Sequence, residues 1–98
     1  MDLQETFEQA VAGSKQLISR PDNNTLLNLY SLYKQATDGD VTGDGPSNPF
    51  DFVGKAKYNA WEKLKGISAD DAKHQYIDLY NKLKSAWAAK AEIKLLSQ

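Results

Sequence analysis

Helical spacing of apolar residues is the feature of this 98-residue chain that most restricts its fold. In four separate segments, apolar side chains recur three or four positions apart, as on one face of an amphipathic helix. The most regular of these stripes comprises Ala72, Tyr76, Leu79, Leu83 and Trp87. No segment sustains the alternation of a β-strand, and no repeat of about 20 to 50 residues is present. The sequence therefore predicts an all-α fold, with residues 1–98 forming a single domain.

The first two predicted helices are bounded by polar caps and a proline. Asp2 is suited to cap the first helix. Its core-facing stripe comprises Phe7, Val11, Ser14 and Ile18. Pro21 ends this helix in the prediction, because proline cannot continue the helical hydrogen-bond ladder. Asp22 or Asn23 then caps a second helix. The broad apolar face of that helix comprises Leu26, Leu29, Tyr30, Tyr33 and Ala36.

Glycine, proline and aspartate dominate the segment between the second and third predicted helices, residues 37–51. This composition is typical of turns, so we predict one long connection there. The Asp38–Asp44 run also resembles the first half of a calcium loop, with oxygen ligands at alternate positions. Pro49 stands where the bidentate glutamate of such a loop belongs. We therefore predict turns in this segment and no metal site.

Two further helices complete the predicted fold. The third is expected over Phe52–Lys65, with Gly66 as its stop. Ser68 is placed to cap the fourth, whose pattern continues weakly as far as Leu96. The simplest arrangement of these four helices is an up-down four-helix bundle with one long connection between helices 2 and 3, and this is the fold that we predict.

Composition excludes several classes of function. Twelve basic and thirteen acidic residues give a net charge of −1, whereas nucleic-acid-binding modules usually carry a basic excess. Cysteine is absent, which excludes disulfides and thiolate chemistry. The one histidine, His74, lies in mid-helix without a catalytic constellation, so no enzyme is predicted. No apolar run reaches the length of about 20 residues that spans a membrane. Because the first residues are acidic as well, we expect a cytoplasmic protein.

Tyr30, Tyr33 and Lys34 are the residues whose spacing most suggests a ligand. At positions i, i+3 and i+4 of a helix, their side chains share one flank. Such a flank can stack against a ring and bind a phosphate. The alternative is that both tyrosines are boundary core residues and that Lys34 is a solvated charge. Spacing alone leaves both interpretations open.

Two longer blocks resemble the acyl-CoA-binding protein family. The residues of the first block, 29–40, read LYSLYKQATDGD, and those of the second, 52–66, read FVGKAKYNAWEKLKG. Weaker similarity occurs at residues 7–11 and 72–77. The resemblance covers about residues 3–86, and residues 87–98 are interpreted as a C-terminal helical extension.

The resemblance implies a four-helix bundle with a ligand bowl, without catalysis, cofactor or metal. Its implied function is binding and intracellular transport or sequestration of medium- to long-chain fatty acyl-CoA. The residues implied to hold the phosphates of coenzyme A are Lys15, Tyr30, Lys34 and Lys57. Those implied beside the nucleotide and thioester are Tyr33 and Tyr76, and those flanking the adenine are Phe7 and Val11. The apolar groove for the acyl chain is assigned to Leu26 and Leu27.

This chain departs from the family pattern at Val53, Val11 and Tyr58, where lysine, alanine and tryptophan are common. These changes are expected to re-tune affinity. The alternative function is a helical protein–protein interaction module that has lost or re-tuned acyl-CoA binding. An acyl-CoA hydrolase or transferase would need a nucleophile near the thioester, and the sequence indicates no candidate for one. The expected partners are acyl-CoA and, transiently, acyl-CoA-using enzymes and membranes, with no nucleic acid and with the chain as a monomer.

Overall fold

The computed structural model describes the backbone of residues 1–17 and 20–96, and the side chains of residues 1–17 and 20–86. Its helices are α1, Leu3–Ser14; α2, Asn23–Thr37; α3, Phe52–Glu62; and α4, Ala69–Leu96. The described residues contain no strand, and the predicted all-α, four-helix fold is confirmed. Ile18 and the side chain of Trp87, both predicted on core-facing stripes, lie outside the described residues. No helix in the described part of the chain is long and apolar enough to cross a membrane.

The helix starts follow from local capping. Asp2 Oδ1 accepts the N–H of Glu5 at 2.8 Å, and Asp22 Oδ1 accepts the N–H of Thr25 at 2.7 Å. Both bonds satisfy N–H groups that the first turn of a helix leaves without partners. Ser68 Oγ likewise accepts an N–H at 3.1 Å at the start of α4. These three predicted caps are confirmed.

Two helix ends come earlier than the sequence predicted. The first helix was expected to reach Pro21 but ends at Ser14, next to the weak helix former Gly13. The third was expected to reach Lys65 but ends at Glu62. From there the backbone forms tighter i, i+3 hydrogen bonds and turns at Gly66, whose φ of 95° suits glycine.

Three helices, α1, α2 and α4, share an apolar core, and we call them the apolar group. The helix α3 packs at the side of this group. Among the described residues, α4 packs against α1 and α2, whereas α3 packs against α2 alone. The core contains Phe7, Ala10, Leu29, Leu32, Ala36, Ala72 and Tyr76. None of them comes from α3, which has no buried residue within the described structure.

The long connection allows α3 to run in the same direction as α2. Lys57 lies beside Tyr30 in the middle of the two helices, and Trp61 bonds to Gln35 near their ends. Two parallel helices need a connection that returns along their length. Part of that connection is held by Tyr58, whose hydroxyl donates to the carbonyl of Gly43 at 2.6 Å.

Gln35 joins three segments to α2 at a buried position, where it is 1% exposed. Its Nε2 donates to Asp40 Oδ1 and to the carbonyl oxygen of Ile67, both at 2.8 Å. Trp61 Nε1 donates to Gln35 Oε1 at 3.1 Å. Asp40 also accepts the N–H of Gly66 at 2.8 Å. Asp40, which resembled part of a calcium loop in the sequence, is thus a structural hydrogen-bond acceptor.

Candidate functional site

A cavity opens between α1 and α2, whose backbones lie apart within the described residues although their side chains meet at Phe7 and Tyr33. We call it the inner cavity; its volume is about 370 Å³. The residues lining it are Val11, Ser14, Lys15, Leu26, Leu29, Tyr30, Tyr33 and Tyr76. Six of the ten residues assigned to a ligand from the sequence are therefore brought together here. They come from three helices that are distant in sequence, which periodicity alone could not reveal.

Aromatic rings form one wall of the inner cavity. The ring of Phe7 stacks against Tyr33 at a centroid distance of 6.1 Å and meets Tyr76 edge-on at 5.3 Å. Tyr76 shares a hydrogen bond of 2.7 Å with the hydroxyl of Ser14. Burial raises the pKa of Tyr76, so its hydroxyl stays neutral at physiological pH. Phe7 itself is 2% exposed and lies beneath this wall.

A second hollow, the outer cavity, lies between the beginnings of α2 and α3 and has a volume of about 470 Å³. Its apolar lining comprises Leu26, Leu27, Phe52, Val53 and Ala56. Its polar lining comprises Arg20, Asn23, Tyr30 and Lys57. Both cavities share Leu26 and Tyr30, so they are neighbours. The groove expected at Leu26 and Leu27 thus continues onto α3.

The sequence prediction missed several of these lining residues. Ser14 was placed only on the core stripe of α1, although its hydroxyl reaches Tyr76 in the inner cavity. Phe52 and Val53 were not assigned to the ligand, yet they are 71% and 67% exposed. The available signal was their apolar character at the start of the third predicted helix. Arg20 carried no such signal, because it precedes α2 in an irregular segment.

The lysines assigned to the phosphates differ in their surroundings. Lys15 lines the inner cavity, and Lys57 Nζ lies 5.2 Å from the ring centroid of Tyr30. Lys34 instead forms a salt bridge with Asp38, and its Nζ lies 5.0 Å from the ring centroid of Trp61. The hydrogen bond that its ammonium donates to Asp38 raises the pKa of Lys34. Among the described residues, Lys34 is not part of the lining of the inner cavity or of the outer cavity.

A third hollow, the loop cavity, has a volume of about 380 Å³. Tyr30, Lys57 and Trp61 line it together with the connection between α2 and α3. Lys34 is not among these lining residues, but its ammonium lies over Trp61, which is one of them. Tyr30, which lines all three cavities, is the residue that joins them.

This arrangement suits a ligand with an anionic end and an apolar end. Lysine ammonium groups and tyrosine hydroxyls can bind phosphate oxygens, and the apolar lining of the outer cavity can cover a hydrocarbon chain. The one imidazole of the chain, that of His74, is exposed on α4.

Comparisons with known proteins agree with this description. The family model described as "Acyl CoA binding protein" matches residues 4–80. An acyl-CoA-binding protein of Dictyostelium discoideum is 47% identical over 83 residues, which are 85% of this chain and 98% of that protein. The crystal structure of Oryza sativa acyl-CoA-binding protein 2 superposes with a TM-score of 0.85 at 36% identity. That match covers 90% of this chain and 97% of the other.

An enzyme also contains a similar segment. Enoyl-CoA delta isomerase 2 of Rattus norvegicus is 42% identical over 91 residues, which are 93% of this chain and 23% of that protein. The matched segment is therefore a small part of the enzyme. The family model, by contrast, covers most of this chain, and the relative from Dictyostelium discoideum is matched over almost its whole length. The chain belongs to the acyl-CoA-binding protein family.

Proposed function

We propose that this protein binds medium- to long-chain fatty acyl-CoA esters reversibly and transports or sequesters them without changing them chemically. The observation that carries the proposal is that the inner and outer cavities adjoin at Tyr30 and Leu26. The inner cavity offers Lys15 and tyrosine hydroxyl groups, and the outer cavity offers Lys57 beside an apolar wall. Acyl-CoA has phosphates at one end and a hydrocarbon chain at the other, and it matches both parts.

The coenzyme A head is assigned to the lysines and tyrosines around the inner cavity. Lys15 and Lys57 supply charge from α1 and α3, and Tyr30 supplies a hydroxyl between them. A protein with a net charge of −1 thereby gathers local positive charge for an anionic ligand. Lys34 joins this group once its ammonium leaves Asp38.

The adenine is assigned to the wall made by Val11 and Phe7, with Tyr33 and Tyr76 beside the nucleotide and thioester. Val11 lines the inner cavity. Phe7 is 2% exposed and is covered by Tyr33, so adenine contacts Phe7 only if Tyr33 shifts. Tyr33 is 40% exposed, which leaves it room to move.

The acyl chain is assigned to the outer cavity, against Leu26 and Leu27. Each buried methylene contributes at most about 0.8 kcal/mol, so affinity should rise with chain length until the chain outgrows the groove. Val53, where lysine is common in the family, adds apolar surface to this groove. Valine in place of lysine at position 53 therefore favours contact with the acyl chain over contact with the phosphates.

Catalysis is not part of this proposal. Hydrolysis or transfer of the acyl group would need a nucleophile and a base at the thioester. The enzyme relative is matched over only 23% of its length, so its activity gives no support for catalysis here. We further propose a cytoplasmic monomer that meets acyl-CoA-using enzymes and membranes transiently, without nucleic acid as a partner.

Isothermal titration with palmitoyl-CoA, octanoyl-CoA and free palmitate tests the proposal. Palmitoyl-CoA should bind most tightly, because it combines the coenzyme A head, which palmitate lacks, with a longer chain than octanoyl-CoA. Lys57→Ala should weaken its binding by about 10- to 100-fold, the usual cost of a hydrogen bond to a charged group. Lys84→Ala is the matched control, because Lys84 lies over Tyr80 in a similar cation–π pair on α4. Absence of palmitoyl-CoA binding, or equally tight binding of free palmitate, would contradict the proposal.

A further inference from the structure

The Lys34 and Lys57 ammonium groups each lie over an aromatic ring that lines the loop cavity, but their polar partners differ. Lys57 Nζ lies over the ring of Tyr30, and Lys57 lines both the outer and the loop cavities. Lys34 Nζ is paired with the Asp38 carboxylate and lies over Trp61. A ligand phosphate therefore meets one lysine held by an aromatic ring alone and another held by a carboxylate. Lys34 therefore has to release the Asp38 carboxylate before it can bind a phosphate.

The pairing of Lys34 with Asp38 is built into the end of α2. The two residues are four positions apart, so their side chains share one face of the last turn. Asp38 is the C-cap residue, and its backbone N–H donates to the carbonyl of Lys34 at 2.7 Å. The backbone thus fixes the carboxylate beside the ammonium. Lys34 lowers the pKa of Asp38, so this carboxylate is ionised at neutral pH.

The other carboxylate nearby has a different role. Asp40 accepts hydrogen bonds from the N–H of Gly66 and from the side chain of Gln35. Asp40 is therefore already used as a hydrogen-bond acceptor that holds the fold together. Asp38 has a side chain 49% exposed and bonds to the ammonium that the coenzyme A head is expected to use. Asp38 is therefore the carboxylate placed to compete with a ligand phosphate.

We propose that Asp38 is an affinity-setting residue: it holds Lys34 in the ligand-free protein, and the phosphate of coenzyme A must displace it. This inference rests on the proposed function. Displacement costs the Lys34–Asp38 attraction and leaves a carboxylate near the bound phosphate. Both effects weaken binding, and both are screened by salt because the pair is partly exposed. Asp38 thereby keeps the ligand exchangeable.

The test is titration of palmitoyl-CoA into Asp38→Asn at low and at high ionic strength. Exposed ion pairs contribute about 0.2–1 kcal/mol, so the variant should bind about 1.4- to fivefold more tightly at low salt. The gain should shrink at high salt, and it should disappear in a Lys34→Met background. Asp78→Asn is the matched control, because Asp78 precedes Lys82 by four positions on α4 and lies in a cavity on the opposite side of α2. Its affinity should equal that of the unmodified protein.

Thermal unfolding of each variant shows that it remains folded, since asparagine is also accepted at the end of a helix. Equal or weaker binding by Asp38→Asn would overturn the inference while leaving the proposed function intact. A gain that persists in the Lys34→Met background would also overturn it, because general repulsion would then be the cause. Failure of the unmodified protein to bind palmitoyl-CoA would overturn both.

Discussion

The packing of α4 against α1 and α2 differs in kind from the packing of α3 against α2. The first group is held by an apolar core that includes Phe7, Leu29 and Tyr76. The second relies on hydrogen bonds of Trp61 and Gln35 and on the connection that precedes α3. Within the described structure, α3 contributes no buried residue. Stability and ligand binding therefore rest on partly separate residues.

This difference matters because the candidate site uses both groups. The inner cavity belongs to the apolar group, whereas Phe52, Val53 and Lys57 of α3 line the outer cavity. Changes in α3 should alter binding without unfolding the protein. Changes in the apolar group should affect stability first. Three predictions test this contrast, beginning with the largest expected effect.

Phe7→Ala should destabilise the protein by about 3–5 kcal/mol, the usual cost of removing a buried phenylalanine. Phe7 is 2% exposed and packs against both Tyr33 and Tyr76, so its loss leaves a void that cannot close without moving two helices. The free energy of unfolding measured in urea checks this value.

The control for this prediction is Phe50→Ala. Phe50 is 78% exposed and precedes α3. Its replacement should change the free energy of unfolding by less than about 0.5 kcal/mol, as is usual for surface positions. Similar losses for Phe7→Ala and Phe50→Ala would show that α3 and its connection belong to the cooperative core, and the contrast drawn above would be wrong.

Gln35→Leu should cost about 1–3 kcal/mol, because it leaves buried polar groups without their partner. The carbonyl of Ile67 would lose the donor it has at 2.8 Å, and Asp40 and Trp61 would each lose one hydrogen bond. Urea unfolding followed by tryptophan fluorescence measures the loss.

Ser31→Ala is the matched control for Gln35→Leu. Ser31 is also buried on α2, at 3% exposure, but its hydroxyl donates only within the helix, to the carbonyl of Asn28. Its replacement should cost less than about 1 kcal/mol. A larger loss for Ser31→Ala than for Gln35→Leu would show that the bonds to α3 and its neighbouring turns contribute little.

The sequence predicted the apolar group better than the segments around α3. Caps such as Asp2 and Ser68 are local signals, since the side chain and its backbone partner are three residues apart. The role of Gln35 is not local, because its acceptor on Ile67 lies 32 residues away in the chain. Nothing in the spacing of α2 indicates that bond. The end of α3 at Glu62 was likewise not predicted, because Gly66 is the only strong stop signal near it in the sequence.

The candidate site shows the same limit. The tyrosine and lysine spacing on α2 predicted a shared flank, and the family resemblance supplied partners on other helices. Neither indicated that Lys34 would be paired with Asp38, although the two stand four positions apart. Two oppositely charged residues at this spacing can pair or can both remain solvated, and their exposure decides between these outcomes.

Asp40→Asn should have the smallest effect, confined to a pH range. The N–H of Gly66, and then the side chain of Gln35, lower the pKa of Asp40 below its ordinary value. A carboxyl group whose pKa is lower in the folded state stabilises the fold above its unfolded pKa, about 3.9, and loses this contribution as the pH falls through the folded pKa. The variant keeps an acceptor oxygen but no charge, so it should be slightly less stable than the unmodified protein at pH 7. The gap should begin to close below about pH 4, where the unfolded chain takes up the proton, and should vanish once the pH falls below the folded pKa, where both proteins carry a neutral group. Urea unfolding from pH 7 to pH 3 measures this gap, and a gap that stays constant would mean that the charge of Asp40 does not help to hold the connection against α2.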